Sequence, residues 1–318
     1  MPPDYAQTPL HLPAMASWPP AWHEFDEQQR DALRAAEAAG RPLLVRGDPG
    51  TGKSQLAHAA AFASGRAFLP LVVDSRTEAT DLLWRFDAIA RLADAHLCAV
   101  AGADVPTGLA SERYLRPGPL WWAFDWNGAS DQCARLRSPE PPPETAPDWT
   151  PAKGCVVLID EIDKAEAELP NGLLEALGNG RFSVAALQGK VVRQNPAQPP
   201  PLVVITTNDE RELPPAFLRR CLVLTLKLPE GAELKQFLLR RGRLHRGAWA
   251  KANEAVLEQA ADMLLDDRRD AQAAGIYTPG LAEYLDLLRA LEQVGGSDPG
   301  AMLQRLRAFT YQKQPGGE

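Results

Sequence analysis

The chain has 318 residues, 45% apolar and 24% charged, with a formal net charge of −7 at pH 7. That length supports one large core plus a smaller domain, and no run approaches the ~18 apolar residues of a membrane span. The acidic total argues against nucleic acid as principal partner, since phosphate contact needs a basic surface. Cys98, Cys133, Cys155 and Cys221 show neither paired metal spacing nor a Cys-x-x-Cys, so reduced thiols in a cytoplasmic protein are the simplest reading.

Residues 1–20 hold six prolines and no hydrophobic periodicity, and the opening lacks a secretion signal, so 1–24 are expected to form a flexible arm. Phe25-Asp26-Glu27 opens a helix with acidic residues in its first turn. The apolar strand Leu43-Leu44-Val45-Arg46 runs into Gly47-Asp48-Pro49-Gly50-Thr51-Gly52-Lys53-Ser54, a Gly-x-x-x-x-Gly-Lys-Ser phosphate loop. Gly47, Gly50 and Gly52 let the backbone curl so that N–H groups face phosphate oxygens. Lys53 is expected on the β and γ phosphates of ATP and Ser54 on Mg²⁺. Gln55 begins a helix whose positive end faces the same anion. The alternative is an ordinary glycine turn between strand and helix.

The segment 121–153 carries Trp121, Trp122 and Trp126 and then Pro139, Pro141, Pro142 and Pro143. Two readings stand: a substrate- or partner-gripping loop with aromatic anchors, or tryptophans packed under a sheet. Val156-Val157-Leu158-Ile159-Asp160-Glu161 is a buried parallel strand closing on two carboxylates. Side chains alternate along a strand, so Asp160 and Glu161 take different roles: Asp160 in the Mg²⁺ shell, Glu161 as general base on the attacking water. Leu202-Val203-Val204-Ile205-Thr206-Thr207-Asn208 is a third strand, whose Asn208 either reaches the γ-phosphate or lytic water, or caps a turn.

Helices and strands alternate to about residue 227, implying a parallel sheet with helices on both faces. After the break at Leu228-Pro229-Glu230, apolar residues recur at helical spacing (Leu234, Phe237, Leu238; Val256, Leu257, Ala260, Leu264; Leu281, Tyr284, Leu285, Leu288, Leu291), predicting a small all-α lid to 312 and a frayed tail over 313–318. The dense basic stretch Arg240-Arg241-Gly242-Arg243-Leu244-His245-Arg246 reads first as a solvated or subunit-contacting face and second as a polyanion site.

Gly47–Ser54, Val156–Glu161, Thr206–Asn208 and Leu213-Pro214-Pro215-Ala216-Phe217-Leu218-Arg219-Arg220 resemble the AAA+ ATPases, in the order Walker A, Walker B, sensor 1, arginine finger. Arg116-Pro117-Gly118-Pro119-Leu120, Asp160–Ala165, Asn171–Leu177 and Arg181-Phe182-Ser183-Val184 with the returning Val191-Val192-Arg193 resemble the MoxR-like group within them. The resemblance spans roughly residues 25–295 and implies an AAA+ core over 25–227 with a lid over 228–312. It also implies ATP and Mg²⁺ as cofactors and a homo-oligomeric ring, most simply a hexamer. In such a ring Arg220, with Arg219 beside it, serves the neighbouring subunit's site; solvation of a helix end is the alternative for both. Asp81–Asp87 resembles the segment after the family's second strand and either lines the ring or supplies core through Leu83 and Phe86.

Relatives of that type are chaperone-like motors acting on protein partners, frequently with a von Willebrand A domain protein and sometimes in bacterial defence clusters. Two rivals differ in class: a nucleic-acid motor of McrB or clamp-loading type, and an ATP-bound switch or scaffold with negligible turnover. One departure bears on the last. Where MoxR-like lids carry Pro-Arg, this chain has Pro279-Gly280, and Arg289 lies more than two helical turns on. The residues for metal binding and water activation are untouched by that change, so hydrolysis is expected.

Overall fold

A computed structural model describes residues 5, 9–15, 18–101, 109–166, 168–245, 249–276, 278–294 and 298–312. Five strands make its main sheet: β1 (Leu43–Arg46), β2 (Ala67–Val72), β3 (Cys155–Asp160), β4 (Leu202–Thr207) and β5 (Leu222–Thr225), in the order β5-β1-β4-β3-β2. Central β4 runs parallel to both β1 and β3, and β2 runs parallel to β3. Cys155–Ile159 and the whole of β4 are buried, as strands covered on both faces must be, which is why they read as unbroken apolar runs rather than alternating ones.

The helices are α1 (Glu27–Ala39), α2 (Lys53–Ser64), α3 (Ala88–Ala101), α4 (Pro119–Phe124), α5 (Trp126–Ala134), α6 (Glu168–Asn179), α7 (Pro215–Leu218), α8 (Gly231–Leu244), α9 (Glu254–Ala274), α10 (Leu281–Val294) and α11 (Pro299–Thr310). Asp26 and Gln29 close a capping box at the start of α1, and Gly40 ends it in the left-handed region. The expected hairpin after α6 is present, Arg181–Val184 against Lys190–Arg193.

Two compact units emerge: residues 1–7, 25–46 and 56–224 in the first, and 8–24, 47–55 and 225–318 in the second. In the first, Trp121, Trp122 and Trp126 are buried with Leu44, Val157 and Ile205 in one apolar cluster. The gripping-loop reading of these tryptophans is therefore overturned. Two short helices, α4 and α5, bring the Trp122 and Trp126 rings edge to face with centroids 4.8 Å apart, and Trp149 lies tilted against Trp126 at 4.3 Å. Leu83 and Phe86 likewise pack against this cluster. Strand Trp84–Phe86 pairs antiparallel with Leu115–Pro117, and α3 fills the excursion between them.

In the second unit, residues 9–15 and 18–24 correct the expectation of a loose arm over 1–24; residues 1–4, 6–8, 16 and 17 lie outside the described residues. Leu10–Leu12 and Ala21–His23 pair as an antiparallel hairpin with Leu12 and His23 buried. Proline clusters bracket these strands without interrupting them, and polar ties hold them. Gln55 donates to the Trp22 carbonyl, Arg240 forks onto Glu24 at 2.6 and 2.9 Å, and Arg241 donates to the Glu24 carbonyl. Arg243 pairs with Glu254, so three arginines of the basic stretch are engaged within the unit; Arg246 and the 313–318 tail lie outside the described residues. The lid core joins Leu234, Leu238, Leu257, Leu264, Tyr284, Leu288 and Leu303 from α8 to α11. Among the described residues no helix is long and apolar enough to cross a membrane.

Candidate functional site

The phosphate loop begins where β1 ends. Gly47, Gly50 and Gly52 adopt φ values of 137°, 75° and 91°, where side chains with a Cβ are strained. A Cβ on Gly47 would also lie 2.0 Å from the Leu226 carbonyl oxygen. Within the loop, Lys53 is buried and its Nζ donates to the carbonyls of Gly47 (2.6 Å) and Asp48 (2.9 Å), while Thr51 Oγ1 donates to Asp48. A desolvated ammonium held on carbonyl oxygens, inside a glycine turn and at the start of a 12-residue helix, suits a polyphosphate, which offers stronger acceptors. Pro49, Ser54 and Gln55 complete this contiguous stretch.

In the first unit, strand register sets a separate group of polar residues. Thr207 of β4 stands opposite Arg46 of β1, and Ile205 opposite Ile159 of β3, so the carboxyl ends of these strands come level. Thr206 Oγ1 donates to Asp160 Oδ1 at 2.5 Å and accepts the Glu161 N–H at 2.9 Å. Glu161 itself is left-handed, φ 61° and ψ 49°, a conformation costing a non-glycine residue about 1–3 kcal/mol that surrounding bonds must offset. Asn208 Nδ2 approaches Glu161 Oε1 at 3.4 Å, and Lys164 Nζ donates to Glu161 Oε2 at 2.6 Å. The Lys164 ammonium is held above its usual pKa chiefly by that bond. Asp209, next after Asn208, is the second left-handed residue here (φ 58°) and pairs with Arg46 at 3.1 Å.

Asp160, Glu161 and Asn208 are thus brought together at the carboxyl ends of β3 and β4. Two participants escaped the sequence reading. Thr206 was legible as strand residue only; its facing of Asp160 follows from the parallel register. Asp163 is buried and its Oδ2 accepts the backbone N–H groups of Asn208 and Glu210. Arg219 and Arg220 stand elsewhere in this unit, exposed at the end of α7. In the lid, Gly280 donates its N–H to Glu283 Oε2 at 2.9 Å, and Arg289 is a surface residue paired with Asp286.

Asp160 and Ser54 offer the hard oxygen donors Mg²⁺ prefers. No group of three His, Cys, Asp or Glu capable of holding a metal occurs among the described residues. A nucleotide-bound Mg²⁺ needs none, because phosphates and water supply its other ligands.

A sheet ordered β5-β1-β4-β3-β2, entered by a phosphate loop after β1 and carrying paired carboxylates after β3, is the arrangement of AAA+ P-loop ATPases. The family match narrows this. The AAA domain (dynein-related subfamily) covers residues 42–241, and the chain belongs to that family of ATP-hydrolysing proteins. Among solved structures, a candidate ATPase from Cytophaga hutchinsonii ATCC 33406 is similar at 13% identity over 89% of this chain and 79% of that one, with a TM-score of 0.39. No curated protein matches the chain.

Proposed function

We propose that this AAA+ ATPase is of MoxR-like type: it binds Mg²⁺-ATP between subunits of a ring, hexameric in the simplest case, and uses hydrolysis to remodel a protein partner in the cytoplasm. The observation that carries the catalytic part is the bonded set Thr206–Asp160–Glu161–Asn208 at the ends of adjacent strands. In this reading Lys53 and the 47–55 backbone hold the polyphosphate. Glu161 takes a proton from the attacking water, and Asn208 fixes that carboxylate and the water between them. Ser54 and Asp160 would hold Mg²⁺, which neutralises phosphate charge when bound. Arg220, with Arg219 as its neighbour, is lent to the adjoining site.

A protein rather than a nucleic acid as partner is favoured by the engagement of Arg240, Arg241 and Arg243 in bonds within the chain, which removes the densest basic stretch from a phosphate-binding role. A von Willebrand A domain partner and a defence setting rest on the MoxR resemblance, and the cytoplasmic setting fits the four free cysteines. Glu161→Gln separates binding from turnover. It is expected to retain ATP by calorimetry and to lower phosphate release about 10²- to 10⁴-fold, the range for loss of a general base. Wild-type turnover by that variant, or turnover that requires DNA, would refute the proposal.

A further inference from the structure

Asp163 carries a buried carboxylate that none of the motif residues accounts for. It lies in the turn Ile162–Lys164 directly after Glu161 and is 2% exposed. One oxygen, Oδ2, accepts two backbone N–H groups from the loop after β4: Asn208 at 3.1 Å and Glu210 at 3.0 Å. Between those donors sits Asp209 at φ 58°, so the loop turns through a left-handed residue, a conformation uncommon outside glycine though more accessible to Asp than to most. The turn beneath is equally fixed, because Ile162 beside Asp163 is fully buried.

The consequence falls on Asn208. Its Nδ2 is 3.4 Å from Glu161 Oε1, near the outer limit of a hydrogen bond, where a few tenths of an ångström decide whether the contact exists. Asn208 reaches Glu161 from a different strand, and the backbone N–H groups of its loop are tied to the turn after Glu161 through Asp163. We propose that Asp163 is a positioning residue for hydrolysis: by holding the Asn208 and Glu210 amides it sets the distance between Asn208 and Glu161. This rests on the proposed roles of Glu161 and Asn208.

What the position needs is an acceptor of the right length. Asn at 163 keeps a carbonyl oxygen; Ala has none. In the purified full-length chain, Asp163→Ala is therefore expected to lower kcat about ten- to a hundredfold, the scale of a misplacement near 1 Å. Its KM and calorimetric Kd for ATP should stay within about twofold, because the loop that grips phosphate is not attached to Asp163. Asp163→Asn should keep kcat within about threefold, and Asp163→Ala added to Asn208→Ala should cost nothing beyond Asn208→Ala alone. Wild-type kcat in Asp163→Ala, or fully additive losses in the double variant, overturns the clamp. Where Asp163→Ala does not fold, Asp163→Ser, a shorter acceptor, takes its place: an intermediate kcat supports the clamp and a wild-type kcat overturns it. Failure of the underlying reading looks different, since Glu161→Gln and Asn208→Ala would then both hydrolyse ATP at the wild-type rate.

Discussion

The sheet edge and the lid answer the same demand, holding polar groups at the end of an element, in opposite ways. At the sheet edge two non-glycine residues, Glu161 and Asp209, are kept left-handed by side-chain bonds from Thr206, Asp163 and Arg46. Strain of that kind persists only where the surroundings over-determine it, and it clusters at reactive sites. At the lid, the residue before α10 is Gly280, unstrained, and Glu283 reaches back to its N–H as helix-capping glutamates do. The strained turns lie at the carboxyl ends of the sheet strands, whereas the start of α10 is an unstrained helix cap. Beside that cap, Arg268 donates to the Pro279 carbonyl at 2.7 Å, so this lid turn is tied from both sides.

The sharpest way to break that comparison is to remove the arginine proposed above to serve a neighbouring subunit. Arg219 and Arg220 are exposed at the end of α7, available to a neighbour. Arg220→Ala is expected to reduce kcat about 10³-fold or more while leaving ATP binding intact, with Arg219→Ala much milder. Mixing Arg220→Ala with Glu161→Gln subunits should restore partial turnover, since an intact Glu161 would then meet an intact Arg220 across some interfaces. No rescue in mixed assemblies would exclude donation between subunits.

How much of this was legible beforehand differs by physical cause. The phosphate loop and Asp160-Glu161 were readable because each rests on a contiguous stretch whose residue types are dictated by phosphate and metal. Thr206 and Asp163 were not, because their partners lie 46 and 45 residues away and depend on strand register. The tryptophans at 121–126 stayed ambiguous because a large aromatic suits a core and an interface equally. The N-terminal hairpin was misread because proline density hid two three-residue strands whose stability comes from Arg240, Arg241 and Gln55 far along the chain. Helix α3 was likewise unforeseen, and its exposed Ile89, Leu92, Leu97 and Val100 show that helical apolar spacing does not by itself certify burial.

A smaller effect probes the lid alone. Burial pushes the His245 imidazole down to about 4, aided by the nearby guanidinium groups of Arg289 and Arg241, while its ring stacks on Trp249 at 4.2 Å. The unfolded chain takes up a proton at His245 below its ordinary value of 6.5, and the folded one does not until about 4. The contribution of neutral His245 is therefore complete above pH 6.5 and lost as pH falls towards 4. Between pH 7 and pH 5 this amounts to about 2 kcal/mol. Urea unfolding of His245→Phe, which keeps a stacking ring, should show an acid slope weaker by that amount; an unchanged slope would mean that this histidine is not what titrates.

Glu283 gives the smallest and most discriminating test, because its two effects have opposite signs. Its carboxylate is buried and caps Gly280, so Glu283→Ala should lower stability by about 1–2 kcal/mol, the cost of a lost cap to a charged acceptor. The same Oε2 lies 3.6 Å from where a Cβ on Gly50 would stand, which puts a negative charge beside the phosphate loop. Glu283→Gln keeps an acceptor for Gly280 and removes the charge. It should tighten ATP binding about threefold to tenfold, comparable to the ~1 kcal/mol between two unit charges about 4 Å apart in water, with little loss of stability. Gly280→Arg is not a simple restoration of a lid cation, since a Cβ there already meets Leu228 at 3.2 Å and any long side chain must displace it. If Glu283→Gln weakened ATP binding instead, the carboxylate would be a ligand of the nucleotide complex, and the lid would belong to the chemistry after all.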